Sequence, residues 1–184
     1  MKFKDALFLE YPIPRHLSIW EDTLYDKAVS SLDSLIELCV ESLASDVMIT
    51  ESQRAYGMTT FMPEDTVTIC NVKLDFRFQG NKYVKFNWNP STKECFVRYY
   101  PAIITYRRKM RVDDLDRLNG DLLRYVLYFV LGKMADTELT TLSTVKVNTE
   151  TATIDTTALS AFAQRCQTEF NELKKGIHLY TVTF

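Results

Sequence analysis

Apolar positions recur at helical spacing over three stretches of this 184-residue chain. Leu24, Ala28, Leu32, Leu35, Ile36, Cys39, Val40 and Leu43 follow Asp22 and Thr23, either of which can cap a first turn, and this predicts a helix over 23–46. Asp113 caps a second, predicted over 113–140 and carrying Leu115, Leu118, Leu122, Tyr125, Val126 and Phe129, with a kink where Gly132 loosens the backbone. Asp155 opens a third over 156–175 with Leu159, Phe162, Ala163, Cys166, Phe170 and Leu173, and Gly176 ends it.

Between the first two helices the period changes to two. Val72, Leu74, Phe76 and Phe78 alternate with Lys73, Asp75 and Arg77, and after a turn at Gln79–Lys82 the residues Val84, Phe86 and Trp88 alternate with Tyr83, Lys85 and Asn87. Asn89–Thr92 turns the chain again before Cys95–Tyr106, giving a three-strand antiparallel meander over about 66–106 packed by the three helices, an α+β fold. Pro101 has no N–H to give a ladder, so the third strand should lie at a sheet edge or break there. Val145 and Val147 suggest a short strand or extended link. The stretch through Gly57 and Pro63 has little period and reads as a loop with an apolar tip of Tyr56, Met58, Phe61 and Met62, of which Met58, Phe61 and Met62 are expected to contact a partner.

Both ends of the chain are apolar without helical period. Phe8, Leu9, Tyr11, Ile13, Leu17, Ile19 and Trp20 surround Pro12 and Pro14, which favour extended backbone, so residues 1–21 read as an extended arm that packs on its own domain or on a neighbour, with Phe8–Trp20 expected to be ordered mainly by contact with another chain. Residues 22–176 form the single α+β domain, and 177–184 form a strand-like tail. That tail places Ile177, Leu179, Tyr180, Val182 and Phe184 in an edge with neither charge nor proline. Pairing with the chain's own sheet and pairing with a neighbour's sheet are equally open, since either covers the edge.

Composition limits the chemistry. With 46% hydrophobic residues and a net charge of -2 the chain folds and carries no global positive field toward nucleic acid or anionic lipid. Arg107, Arg108, Lys109 and Arg111 can contact a phosphate or a partner's carboxylates locally, although a solvated strand edge explains them more simply. The apolar stretch Ala6–Leu9 is interrupted by Glu10 and Pro12, so no export signal is expected. The longest apolar run, Tyr125–Leu131, is far below the roughly 18 residues of a membrane span, and no membrane partner is expected.

Cys39, Cys70, Cys95 and Cys166 are widely spaced in apolar stretches and read as reduced, buried thiols. His16 and His178 belong to no nucleophile or metal motif, and the five glycines stand apart, so no phosphate loop forms. Asp113, Asp114 and Asp116 fit the first turn of a helix better than a cation site. No enzyme activity, cofactor or metal is expected. The aromatic and basic residues Phe76 to Tyr100 of the meander leave one alternative, a nucleic-acid-binding accessory protein that stacks bases on a sheet, although packing under the helices explains the same alternation.

Tyr99-Tyr100-Pro101-Ala102 to Tyr106-Arg107-Arg108, then Asp113-Asp114-Leu115, then Tyr128 to Gly132-Lys133-Met134-Ala135-Asp136-Thr137-Glu138-Leu139, resemble virion structural proteins of large tailed bacteriophages. The likeness covers about the C-terminal half and continues through Ile154-Asp155 and the closing helix. It implies a subunit of a ring in the neck, as a head-to-tail connector, or in the tail. Its partners would be copies of itself and neighbouring neck or tail proteins, with DNA passing through the ring without sequence-specific binding. The location implied is the virion, assembled in the host cytoplasm.

Overall fold

The computed structural model describes residues 2–11, 25–75, 82–144, 156–176 and 180–183. The class is α+β, as the patterning predicts. The chain divides into two compact units: a helical one from Met1–Leu43 and Arg111–His178, and a β unit from Ala44–Met110 and Leu179–Phe184. Residues 22–176, expected as one domain, contribute to both.

The helical unit begins with α1 at Phe3–Glu10, which corrects the expected extended arm over its first half. Asp5 sits in the first turn, where a carboxylate suits the positive helix end, and its Oδ2 accepts the Lys2 backbone N–H at 3.3 Å. Phe3, Ala6 and Leu7 are buried, so the helix has the apolar face that its proline-rich continuation concealed. Helix α2 spans Tyr25–Leu43, inside the predicted 23–46, and buries Leu32, Ile36, Cys39, Val40 and Leu43. The helix expected at 113–140 is two elements: a 3-10 helix at Val112–Arg117 and, beyond Leu118 and Asn119, helix α3 at Gly120–Thr144. Helix α3 runs through Gly132 as one element. A Cβ on Gly132 would lie 3.6 Å from the Cβ of Cys166, an ordinary contact distance, so the α3–α4 crossing leaves room for one carbon here. Helix α4 spans Thr156–Gly176 and turns Leu159, Phe162, Cys166 and Phe170 inward at spacings of three and four. Tyr125, fully buried on α3, stacks on Phe170 with ring centres 4.7 Å apart.

The β unit holds two sheets. In the larger, strands β1 (Val47–Ala55), β3 (Thr66–Leu74) and β6 (Ala102–Lys109) are antiparallel in the order β3-β6-β1, and β7 (Tyr180–Thr183) lies parallel to β1. The smaller sheet orders β2 (Thr59–Phe61), β5 (Glu94–Val97) and β4 (Phe86–Asn89), all antiparallel. The segment expected to be a loop before the meander therefore contains two strands, β1 and β2. The meander is also corrected, because its third strand breaks at Pro101: β5 joins the small sheet and β6 becomes a central strand of the large one. Ala55, Met62, Ile69, Val72, Cys95, Val97, Ala102, Ile104 and Tyr106, drawn from both sheets and the β2–β3 link, form one apolar cluster. Val84, Phe86 and Trp88 pack on it at the alternation the sequence predicts. The strand or link expected at 145–147 and the first meander turn at 79–81 lie outside the described residues.

Candidate assembly surface

The register of the small sheet assigns its faces. Thr60, Cys95 and Trp88 align across the three strands, and Cys95 and Val97 are completely buried, so this face is turned to the core. The other face carries Thr59, Phe96 and Asn87 in one row and Phe61, Glu94 and Asn89 in the next. Phe61 is 68% exposed and Phe96 is exposed as well, the two rings occupying diagonal positions on adjacent strands. At the ends of the same strands Tyr56, Met58, Tyr99 and Tyr100 are exposed, and the Arg98 guanidinium lies 5.7 Å from the Tyr99 ring centre. Large apolar groups gathered on one small sheet and its flanks are the usual mark of a surface meant for contact.

Met58 and Phe61 were expected here, and both are exposed. Met62 was expected with them but is buried in the core cluster, because it lies one residue beyond β2 and its N–H bonds to the Lys93 carbonyl at 2.8 Å. Phe96, Tyr99 and Tyr100 were read as core aromatics. The available signal was parity: Phe96 shares its side of the strand with Glu94 and Arg98, whereas Cys95 and Val97 share the other.

Of the N-terminal residues, Phe8 and Leu9 point away from the buried face of α1, and Leu9 is 75% exposed. Tyr11 is instead turned inward. Its hydroxyl donates to Glu138 Oε2 at 2.5 Å and its ring meets Phe162 edge-on at 5.8 Å, which fastens the end of α1 to α3 and α4. Ile13, Trp20, Ile177, Leu179 and Phe184 lie outside the described residues, as do His16 and His178. Tyr180 and Val182 lie in β7, whose register pairs Tyr180 with Val47 and Val182 with Ile49 of the chain's own sheet.

The basic run is divided. Arg108, read either as a phosphate or carboxylate contact or, more simply, as part of a solvated strand edge, is 3% exposed and engaged within the chain. Its Nε and Nη2 donate to both carboxylate oxygens of Glu51 at 2.9 and 2.6 Å, and Asp65 lies 3.9 Å from Nη1. The Tyr106 hydroxyl also donates to Glu51 at 3.0 Å, and burial followed by this hydrogen bond pushes the phenol up to about 12. Arg107 is half-buried, with an Nε that finds no acceptor among the described residues, while Lys109 and Arg111 are exposed. The Arg111 backbone N–H bonds to Asp114 Oδ2 at 2.7 Å.

The acidic trio separates into distinct roles: Asp114 is buried and caps the 3-10 helix, Asp116 accepts the Phe3 N–H at 2.8 Å, and Asp113 is exposed. Among the described residues no three His, Cys, Asp or Glu side chains come together as metal ligands. Cys39, Cys95 and Cys166 are buried thiols pushed up to about 11 by desolvation, which keeps them protonated and poorly nucleophilic. Cys70, expected to be buried, is an exposed free thiol on β3. No described helix is long and apolar enough to cross a membrane.

No protein-family model matches the chain, and no curated protein matches it.

Proposed function

We propose that this protein is a structural subunit of a tailed-phage virion, forming a ring in the neck, as a head-to-tail connector, or in the tail. The supporting observation is the outward face of β2, β5 and β4, where Phe61 and Phe96 with their aromatic flanks present apolar surface to solvent. Burial of such a face against another chain removes it from water, the dominant favourable term in association. The sequence resemblance to phage virion proteins supplies the setting: self-association, contacts with adjoining neck or tail proteins, and location in a virion assembled in the host cytoplasm. DNA passes through the ring without sequence-specific contact, and the subunit performs no catalysis and needs neither cofactor nor metal.

The same surface supports a second reading, because Phe96, Tyr99 and Tyr100 beside Arg98 have the chemistry of a base-stacking platform. A variant carrying Phe61→Ser and Phe96→Ser separates the readings. Under the assembly proposal its sedimentation mass falls to one protomer while its melting curve stays close to the parent's. Intact assembly in that variant overturns the role of this face, and salt-dependent binding of single-stranded DNA lost in the variant favours the stacking platform.

A further inference from the structure

The large sheet has one face on which β1, β3 and β6 place no carboxylate. Their registers put Thr68, Arg107 and Thr50 in one row across the three strands and Asn71, Thr105 and Ser52 in the next. Lys73 and Arg54 flank Ile103 in a third row, and Lys109 stands opposite Met48 at the other end of β6. Four cations are thus set among hydroxyls, while Glu51 and its arginine partner lie on the opposite face. Arg54 is paired with Asp75 at 3.1 Å and Lys73 lies 5.1 Å from the Tyr83 ring centre. Among the described residues no carboxylate pairs with Arg107 or Lys109. The Arg107 Nε and the Thr50 Oγ1, on directly opposite residues, are both buried without a hydrogen-bond partner among the described residues, as is the Asn71 Oδ1. Buried polar groups are ordinarily satisfied, so these orphans mark a row that lacks an outside partner. Thr68, Ser52 and Lys109 are exposed and Arg107 is half-buried, which leaves the face open to one.

We propose that this face binds the phosphate backbone of nucleic acid without reading its sequence. Arg and Lys interleaved with Ser, Thr and Asn are the side chains that contact phosphate oxygens, the cations supplying charge and the hydroxyls further hydrogen bonds. From Ile103 to Lys109 the strand runs for about 20 Å at about 3.4 Å per residue, with cations at both ends and in the middle. That length suits a continuous polyanion better than a single phosphoryl group. A protein partner would bury apolar anchors, and this face offers only Met48 and Ile103. The inference goes beyond the assembly reading, which gives DNA no contact surface, and it holds in any oligomeric state. It is also distinct from base stacking, which would use the aromatic residues of the small sheet.

The test is binding of a short labelled DNA duplex to the full chain, followed by fluorescence anisotropy over a series of salt concentrations. The bases of a duplex are stacked on one another, so binding reports on its backbone. Affinity should fall steeply with salt, and Arg107→Gln and Lys109→Gln should each weaken it and flatten the logarithmic salt slope by about 1 for each subunit in contact, alike for unrelated sequences. Arg107→Lys, which keeps the charge, should keep the slope. Thr68→Glu sets a carboxylate opposite Arg107 at an exposed position, and it should weaken binding with the melting curve unchanged, even where Arg107→Gln melts early. A parent protein that shows no salt-dependent binding, or variants that all keep its slope, overturns the proposal. Polyglutamate that displaces the labelled duplex as well as unlabelled duplex does assigns the face to an acidic protein and overturns it too, as does duplex binding lost on Phe61→Ser with Phe96→Ser. The solution mass read in parallel separates the two proposals: an oligomer that ignores the duplex refutes this one alone, and a monomer that binds it refutes assembly alone.

Discussion

Arg108 on β6 and Glu51 on β1, diagonal neighbours on adjacent strands, are joined by two hydrogen bonds, one to each carboxylate oxygen. The two ends of this pair are unequal. Arg108 is almost wholly enclosed, while a quarter of the Glu51 side chain remains exposed. Removing Glu51 strands a buried guanidinium with Asp65 at 3.9 Å and the Lys109 carbonyl, whereas removing Arg108 leaves a carboxylate that water can reach. Glu51→Ala is therefore expected to cost about 3 to 5 kcal/mol and Arg108→Met clearly less. Urea denaturation of the two variants checks the order, and equal losses contradict it.

This pair also explains why β1 was not legible in the sequence. Val47 and Ile49 begin an alternation, but Glu51 and Gln53 then occupy the positions where further apolar residues would complete it. The compensating arginine is 57 residues away in the chain, out of reach of any local pattern. Helices α2 and α4 were legible because their inward faces are plain apolar stripes. Helix α1 was hidden by Pro12 and Pro14 just beyond it, and the outward aromatic face by the strong tendency of large rings to be buried. Phe96 had only its parity with Glu94 and Arg98 to mark it in the sequence, and the register places it outward beside Asn87 and Thr59.

At the crossing of α3 and α4, Gly132 has room for one carbon. The 3.6 Å to the Cys166 Cβ is ordinary contact, so Gly132→Ala should stabilise the protein by about 0.4 to 1 kcal/mol through helix propensity and a less flexible unfolded chain. Gly132→Leu should destabilise it through overpacking, by about 1 to 3 kcal/mol. Thermal melts of the two variants that shift in the same direction contradict this account of the glycine.

Glu138 is 1% exposed, and its Oε1 has no partner among the described residues. Burial raises its carboxyl above the ordinary 4.5, with the Tyr11 hydrogen bond opposing the rise to a lesser extent. The folded state therefore holds this proton more tightly than the unfolded state, and stability falls as pH rises from about 4.5 through the raised value, then levels off. Glu138→Gln, which keeps an acceptor for Tyr11, should abolish that fall and be the more stable protein near neutral pH. The advantage should vanish below about 4.5 in stability curves measured against pH. A wild-type protein that gains stability across the same window through this residue contradicts the assignment.

Helix α1 turns two neighbouring leucine positions to opposite environments. Leu7 is completely buried, and Leu7→Ala should cost about 2 to 5 kcal/mol, whereas exposed Leu9→Ser should stay within about 0.5 kcal/mol. Denaturation midpoints that rank them the other way place the wrong face of α1 inward. If Leu9 contacts a partner, its substitution affects assembly with little change in melting.

The solution mass of the unmodified chain, measured by sedimentation equilibrium over a range of concentrations, tests the assembly proposal most directly. Association follows mass action, so the account predicts a mass that rises with concentration toward a fixed whole multiple of 21.4 kDa, the signature of a closed ring. A mass that stays at 21.4 kDa across the range contradicts it.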